Sequence, residues 1–192
     1  MNTAVQAPSQ STQVSRWIID PAHSAAHFSA RHLMISNVRG EFTKVTGSAV
    51  IDPLNPAKSN VEVQIDANSI NTREPQRDDH LRSADFFDVA NFPTLSFRST
   101  RIEAKGAEEL KLTGDLTIHG VTKEVTFDVE GPTPEIKDPW GNVRAGITAA
   151  TKISRKEFGL AFNALTDTGG VVVGDEVKIT LEAELIRQAD AA

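Results

Sequence analysis

Leu110-Lys111-Leu112-Thr113-Gly114-Asp115-Leu116-Thr117-Ile118-His119-Gly120-Val121-Thr122-Lys123-Glu124-Val125-Thr126-Phe127-Asp128-Val129-Glu130 alternates apolar and polar residues on both sides of one glycine. Leu110, Leu112, Leu116 and Ile118 share one face of an extended chain, with Lys111, Thr113, Asp115, Thr117 and His119 on the other. After Gly120, Val121, Val125, Phe127 and Val129 repeat the pattern against Thr122, Glu124, Thr126 and Asp128, so the stretch reads as a β-hairpin with one buried face.

The same period of two recurs at Val61, Val63 and Ile65, at Leu95 and Phe97, at Ala145, Ile147, Ala149 and Ile153, and at Val177, Ile179, Leu181, Ala183 and Leu185. Eight strands are expected, at 25–32, 40–52, 60–67, 94–103, 109–118, 121–131, 143–153 and 176–187, separated by Gly, Pro, Asn and Asp clusters. One helix is expected at about 74–84, with Thr72 as its cap and Pro75 in its first turn, and a short helical turn is expected after His32. The fold class is all-β and antiparallel. Alternation alone leaves a two-sheet sandwich and a closed barrel both open. An eight-stranded barrel can be filled by side chains or hold one small ligand, and small residues at Ala30, Gly47, Ala49, Gly114, Ala145 and Ala149 would leave room inside.

The 192 residues, 39% of them apolar, suit one domain, expected at 16–187 between a disordered tail at 1–15 and a short tail at 188–192. Twenty basic against 26 acidic residues, with no basic block, argue against nucleic acid as a partner. The absence of cysteine excludes disulfides, thiolate metal ligands and cysteine nucleophiles. No window has the ~18 consecutive apolar residues of a membrane span, and residues 1–15 do not read as a secretory signal. The expectation is a soluble, cytoplasmic protein, or a periplasmic one if an export signal has been removed.

Three of the five histidines fall between His23 and His32. On a helix, His23 and His27 would face one way, as zinc-binding pairs do. On a strand they stand ~13 Å apart at ~3.3 Å per residue, too far to share an ion whose ligands lie ~2.1 Å from it. No metal is therefore expected, and His23 reads as a turn residue hydrogen-bonded to backbone. Phe28, Ala30 and His32 alternate onto one face, where His32 either meets a ligand or is satisfied by a carbonyl or carboxylate. His119 is expected to face solvent.

Arg73, Arg77, Asp78, Asp79, His80, Arg82 and Asp85 admit two readings: a clamp for a phosphate-bearing head group, or an ion-pair network fastening the helix to the barrel. Phe86, Phe87 and Phe92 read as core, lid or cavity wall. No Gly-x-Ser-x-Gly, His-Glu-x-x-His or Gly-x-x-x-x-Gly-Lys motif occurs. His80 with Asp78, Asp79 and Ser83 is the one grouping from which a hydrolytic site could be assembled, and no catalytic residue is assigned.

Several motifs together resemble the YceI-like family of polyisoprenoid-binding, lipocalin-like barrels: Trp17-Ile18-Ile19-Asp20-Pro21-Ala22-His23-Ser24, Phe28-x-x-x-His32-Leu33, Val38-x-Gly40-x-Phe42, Asn71-Thr72, Arg77-Asp78-x-His80-Leu81-Arg82-Ser83-x-Asp85-Phe86-Phe87-Asp88, Phe92-Pro93, Leu116-Thr117-Ile118-His119-Gly120-Val121-Thr122 and Gly174-Asp175-Glu176-Val177. The resemblance implies an eight-stranded barrel carrying a helix, with a long apolar chain in its tunnel and the polar head near the mouth. Many members of the family are periplasmic. Ala25 and Ala26 depart from the bulkier residues common in it.

On this resemblance the expected function is binding, storage or transport of an isoprenoid or similar lipid, such as a quinone tail, a prenyl (pyro)phosphate, or a fatty acid or amide, with no cofactor required. The tunnel wall is expected at Phe28, Ala30, Phe42, Val63, Ile65, Phe97, Leu116, Ile118, Phe127, Ile147, Ala149, Phe158, Ile179 and Leu181, and the polar mouth at His32, Arg73, Arg77, His80 and Arg155. Transient membrane contact for lipid exchange, without stable insertion, and a homodimer are compatible with it. The alternatives are an enzyme acting on a lipid-like substrate in the same cavity and a structural or stress-linked interaction protein with a filled barrel.

Overall fold

In the computed structural model, which describes residues 13–106, 108–164 and 171–189, the hairpin of 110–130 forms as its alternation requires. Leu112 faces Phe127, Leu110 faces Val129 and Ile118 faces Val121. His119 and Gly120 both have positive φ, 51° and 73°, the signature of the type I′ turn that matches strand twist.

The strands in chain order are β1 (Ser15–Ile19), β2 (Ala25–His32), β3 (Ser36–Phe42), β4 (Val45–Ile51), β5 (Asn60–Asp66), β6 (Ile70–Asn71), β7 (Thr94–Ala104), β8 (Glu109–Ile118), β9 (Val121–Glu130), β10 (Ile136–Lys137), β11 (Val143–Ser154) and β12 (Val173–Arg187), with one helix, α1 (Pro75–Arg82), and 3-10 turns at Pro56–Lys58, Ala67–Ser69 and Arg155–Phe158. They form an eight-position antiparallel barrel, because β1 with β2, and β3 with β4, each occupy a single place in the ring. β12 pairs with β1 through Leu185–Arg187 and with β2 through Val173–Glu182, and it closes the ring on β11 from Ile186 to Glu176.

The break between β1 and β2 explains Asp20-Pro21-Ala22-His23-Ser24. Pro21 has no N–H to give a ladder. Asp20 turns the chain by accepting from the Ala22 N–H at 2.9 Å, while the backbone of Glu184 stays satisfied by the Asp20 N–H (2.8 Å) and the Ser24 hydroxyl (3.0 Å). Between β3 and β4, Ser69 performs the same service: its carbonyl accepts from the Thr43 N–H and its hydroxyl from the Lys44 N–H.

One seam is short. β9 pairs with β11 only through Glu130–Thr148, Val129–Ala149 and Asp128–Ala150, and the last link is the Thr151 hydroxyl on the Thr126 carbonyl at 2.8 Å. Before Thr126, β9 stays paired with β8 but not with β11. Lys123, register partner of the inward Leu116, is exposed there although it lies on the inner face.

The core lies inside the ring and draws on every strand of it, with Val45, Ala49, Val63, Phe97, Leu112 and Leu116 buried on β4, β5, β7 and β8. Phe97 and Phe127 meet edge to face at 5.2 Å. Each fully buried large side chain contributes ~1.5–3 kcal/mol.

Several expectations are corrected. β1, β3, β6 and β10 go beyond the expected eight strands: the single strand expected at 40–52 is two, starting at Ser36, and the last strand starts at Val173. The expected helical turn after His32 is a hairpin turn in which Leu33 and Met34 are left-handed, with φ of 51° and 58°. α1 is capped by Glu74, which accepts from the Gln76 N–H, because Thr72 is committed elsewhere. Ser15, expected in the tail, opens β1, and the Gln188 N–H bonds the Arg16 carbonyl, while 1–12 and 190–192 lie outside the described residues. His23 bonds a carboxylate, not only backbone. His119 is half-buried with its ring 4.6 Å from Phe92. No helix among the described residues is long and apolar enough to cross a membrane.

Candidate binding site in the barrel

Alternation brings the expected wall residues onto the inner face of the ring, and register sets them side by side. Val63, Phe97 and Leu116 are consecutive partners across β5, β7 and β8, and Ile65 faces Leu95. On the other wall, Ile179 faces Phe28, Val177 faces Ala30, Leu181 faces Ala26 and Ala149, and Ile147 faces Ala183. Phe158 differs: it lies in the 3-10 turn after β11, 1% exposed, as a stopper and not a strand residue.

Burial divides these residues into two groups. Phe42, Val63, Phe97, Leu116, Ile118, Phe127, Ala149 and Phe158 are buried, whereas Phe28, Ala30, Ile147, Ile179 and Leu181, together on β2, β11 and β12, stay half-buried, as does Ile65 on β5. The β2–β12–β11 wall therefore carries apolar side chains that pack on the core and are only partly covered by it, beside buried Ala26, Ala145, Ala149 and Ala183.

α1 and the aromatic residues after it close the end of the ring to which this wall leads. The Asp78 carboxylate, buried, accepts from the Thr72 N–H (2.8 Å) and hydroxyl (2.5 Å), while Arg77 donates from Nε to the Thr72 hydroxyl and from Nη2 to the Thr72 carbonyl. Arg82 donates to the carbonyls of Asn68 and Ile70. These charges hold the helix to β6 through hydrogen bonds to Thr72, Asn68 and Ile70, and not through the expected ion-pair network, since Arg82–Asp79 and His80–Asp85 pair within the helix and the residues just after it. His80 bonds Asp85 through Nε2 at 2.8 Å, and its ring stands edge-on to Phe86 and Phe162. The Ser83 hydroxyl donates to the His80 carbonyl and not to its ring, so no nucleophile is paired with this base.

Arg155 is 3% exposed and donates to the carbonyls of Leu160, Phe162 (2.8 Å), Val173 (3.2 Å) and Gly174 (2.9 Å). Burial pushes its guanidinium below the usual arginine range, partly offset by Asp175. Arg73, in left-handed backbone, is exposed, and His32, opposite Ser36 and Val173, is half-buried at the end of β2. Of the five expected mouth residues, Arg77 and Arg155 are occupied with the chain itself. Arg73, His80 and His32 keep polar atoms available to a ligand.

Sequence reasoning missed an ionic group on the outer face. The Arg144 guanidinium reaches Asp20 Oδ2 and Asp138 Oδ2, both at 2.6 Å, and Glu184, while His23 Nδ1 lies 3.0 Å from Asp20. Arg144, then His23, bring the Asp20 carboxyl down to about 2, and the three carboxylates hold Arg144 above its ordinary range. At Asp138, burial works upward but is outweighed by hydrogen bonds from Arg144, Asn142 and Trp140, leaving it well below the carboxylate range. Asp20 raises His23. Asp20, His23 and Glu184 stand close enough to ligate a metal, but Arg144 already supplies their cation. The one advance signal was the Asp20-Pro21-x-His23 wording, since Arg144 is 124 residues away.

Clefts border the barrel among the described residues. One, of 820 Å3, lies beside this ionic group between β11, β12 and Gly131–Pro134, and another, of 320 Å3, fills the split between β9 and β11 above Phe158.

The YceI-like domain model matches residues 17–185. A UPF0312 protein of Vibrio cholerae is 39% identical over 146 residues, 75% of this chain and 77% of that protein. Protein YceI of Salmonella newport is 39% identical over 166 residues, 86% of this chain and 83% of its own length. Among solved structures, BcnA of Burkholderia cenocepacia superposes with a TM-score of 0.73 at 25% identity, over 86% of this chain and 98% of that one. A polyisoprenoid binding domain from Saccharophagus degradans, implicated in plant cell wall breakdown, superposes with a TM-score of 0.64 over 90% and 98%, and at 15% identity it speaks for the fold alone. With the domain match spanning nearly the whole ring and relatives this similar over most of both chains, the chain belongs to the YceI-like family.

Proposed function

We propose that the barrel binds a long apolar molecule, an isoprenoid or similar lipid chain, along the β2–β12–β11 wall, with its polar head near His32, Arg73 and His80, and that the protein is a carrier or store and not an enzyme. The observation that carries this reading is the contiguous half-buried row Phe28, Ile147, Ile179 and Leu181, brought side by side on β2, β12 and β11 by strand register. An apolar chain laid along this partly covered row would complete its burial, at up to ~0.8 kcal/mol per methylene before ordering costs. The same barrel fold occurs in a polyisoprenoid binding domain, which makes the reading compatible with the fold. Because apolar burial is non-directional, selectivity for the chain is loose and that for the head finer.

Organic extraction of the purified protein, followed by mass spectrometry, tests the reading. A long-chain compound released in near-stoichiometric amount is expected, and its content falls in Ile179→Trp and Leu181→Trp, which place bulk on the wall. An empty extract from folded protein that also fails to take up an added prenyl alcohol overturns it.

A further inference from the structure

We propose that the β2–β3 hairpin tip is a docking element for an anionic lipid bilayer, entering the surface with Leu33, Met34 and Ile35 while Arg31, Arg39 and Lys178 face the head groups. Leu33, Met34 and Ile35 are 38%, 58% and 79% exposed. The turn that carries them, closed by the Ile35 N–H on the His32 carbonyl at 3.0 Å, has positive φ at both Leu33 and Met34. That backbone favours Asn-Gly, and the chain meets it in that spirit at His119-Gly120, where the second residue is glycine. At the tip, by contrast, two large apolar residues occupy strained positions, and Met34 and Ile35 project into water. Folding gains little from placing Met34 and Ile35 there, so an apolar surface outside the chain is what rewards them.

The surrounding charge indicates which surface. In a chain of net charge −6, the outer face just below the tip carries Arg31, with Arg39 and Lys178 flanking Ser29 on either side. Arg39 and Lys178 have no ion pair among the described residues, and Arg31 supports the turn through the Met34 carbonyl at 2.8 Å. The nearby acids are engaged: Glu176 with Lys152 at 3.0 Å, and Asp175 with the Ser154 hydroxyl and Lys156 N–H. Carboxylates return farther down, where His27 lies between Glu41 and Glu182. An apolar tip above unpaired cations suits an interface with anionic head groups. A protruding turn of three side chains is too small for a stable dimer, which buries ~800 Å2 per partner. The exposed Trp140 belongs to a different turn, whose backbone is closed by the Trp140 N–H on Asp138 Oδ1.

The tip is tied to the lidded end. The Leu33 N–H bonds the Val172 carbonyl at 2.8 Å, Arg155 holds Val173 and Phe162, and Phe162 packs on His80 of α1. Docking therefore brings the closed end of the barrel to the lipid, which extends the cargo reading and rests on it for its purpose. Vesicle binding is read without reference to cargo, so the two fail separately.

Co-sedimentation of the full chain with phosphatidylcholine vesicles, with and without roughly one-third phosphatidylglycerol, is the test. The wild type is expected to bind the anionic vesicles and to be released by high salt. Leu33→Asn/Met34→Gly/Ile35→Thr, which installs the favoured turn and so keeps or raises Tm, loses about tenfold in partitioning. Arg39→Glu/Lys178→Glu loses a similar factor on anionic vesicles, and Trp140→Ala stays near wild type. Wild type that fails to bind at millimolar lipid, or a folded tip variant that binds as well as wild type, overturns the proposal. So does a tip variant whose only change is loss of self-association in light scattering.

Discussion

Replacing Arg155 by methionine keeps most of the volume of the side chain and removes a cation that four backbone carbonyls share. Those carbonyls belong to Leu160, Phe162, Val173 and Gly174, on the segment after the 3-10 turn and on the first two residues of β12. Each hydrogen bond contributes ~1 kcal/mol net, more with a charged donor, and an orphaned buried carbonyl costs ~1–3 kcal/mol. Partial rehydration, and relief of the cost of burying the guanidinium, offset some of this. The expected loss is about 3–5 kcal/mol out of a typical 5–15. For a domain of this size it lowers Tm by about 12 °C.

The assay is urea unfolding followed by fluorescence of Trp17, whose buried indole donates to the Ser15 hydroxyl at 2.9 Å. The midpoint should fall with m unchanged. Arg155→Lys should recover less than half the loss, since an ammonium cannot span carbonyls on both segments. A loss below ~1 kcal/mol, combined with loss of bound lipid, would refute the clamp and return Arg155 to the head group.

Asp20 titrates near 2 in the fold against an ordinary 3.8, so its contribution is present in full above its unfolded value and is lost as pH falls through about 2. His23 is raised above 6.5, so its contribution is complete below that value and is lost as pH rises through the raised one. Stability profiles of Asp20→Asn and His23→Gln should each lose the corresponding limb. Gly114→Ala should cost at least ~3 kcal/mol in urea unfolding, because a Cβ there would meet the Arg98 carbonyl and stand 2.7 Å from Ser99 Cα. Gly146→Ala, with its nearest neighbour at 3.6 Å, should stay within ~0.5 kcal/mol. Phe158→Ala, emptying a 1%-exposed site, should cost ~3–5 kcal/mol by the same measurement.

Period-two alternation identified the strands whose two faces differ in polarity, such as β8 and β9. It was silent where neither face of the code was clean. In β1 the run Trp17-Ile18-Ile19 hides an exposed Ile18 between two buried neighbours, and in β3 the polar Ser36, Asn37 and Arg39 mask a strand fixed by pairing with β2. The turn at Leu33-Met34 misled because its backbone requires residues the sequence does not supply. Inward-facing strand positions were legible since alternation and register carry them to the inner face whatever occupies it. The Arg144 group was not, because ion pairs between distant segments leave no local pattern: Glu184 is 40 residues from Arg144 and Asp20 is 124 away.

The charged residues near the lidded end divide by what they hold, and the division bears on selectivity. Arg77, Asp78, Arg82 and Arg155 spend their hydrogen bonds on the chain itself, fixing α1 and the start of β12. Such groups cannot turn toward a ligand without orphaning the carbonyls and hydroxyls they satisfy. On the proposed reading, discrimination among polar heads therefore falls to Arg73, His80 and His32, while the wall they overlook accepts any chain of suitable girth. Substituting Arg73 or His80 should then change which head groups are retained and leave the amount of chain bound, and the unfolding midpoint, close to wild type.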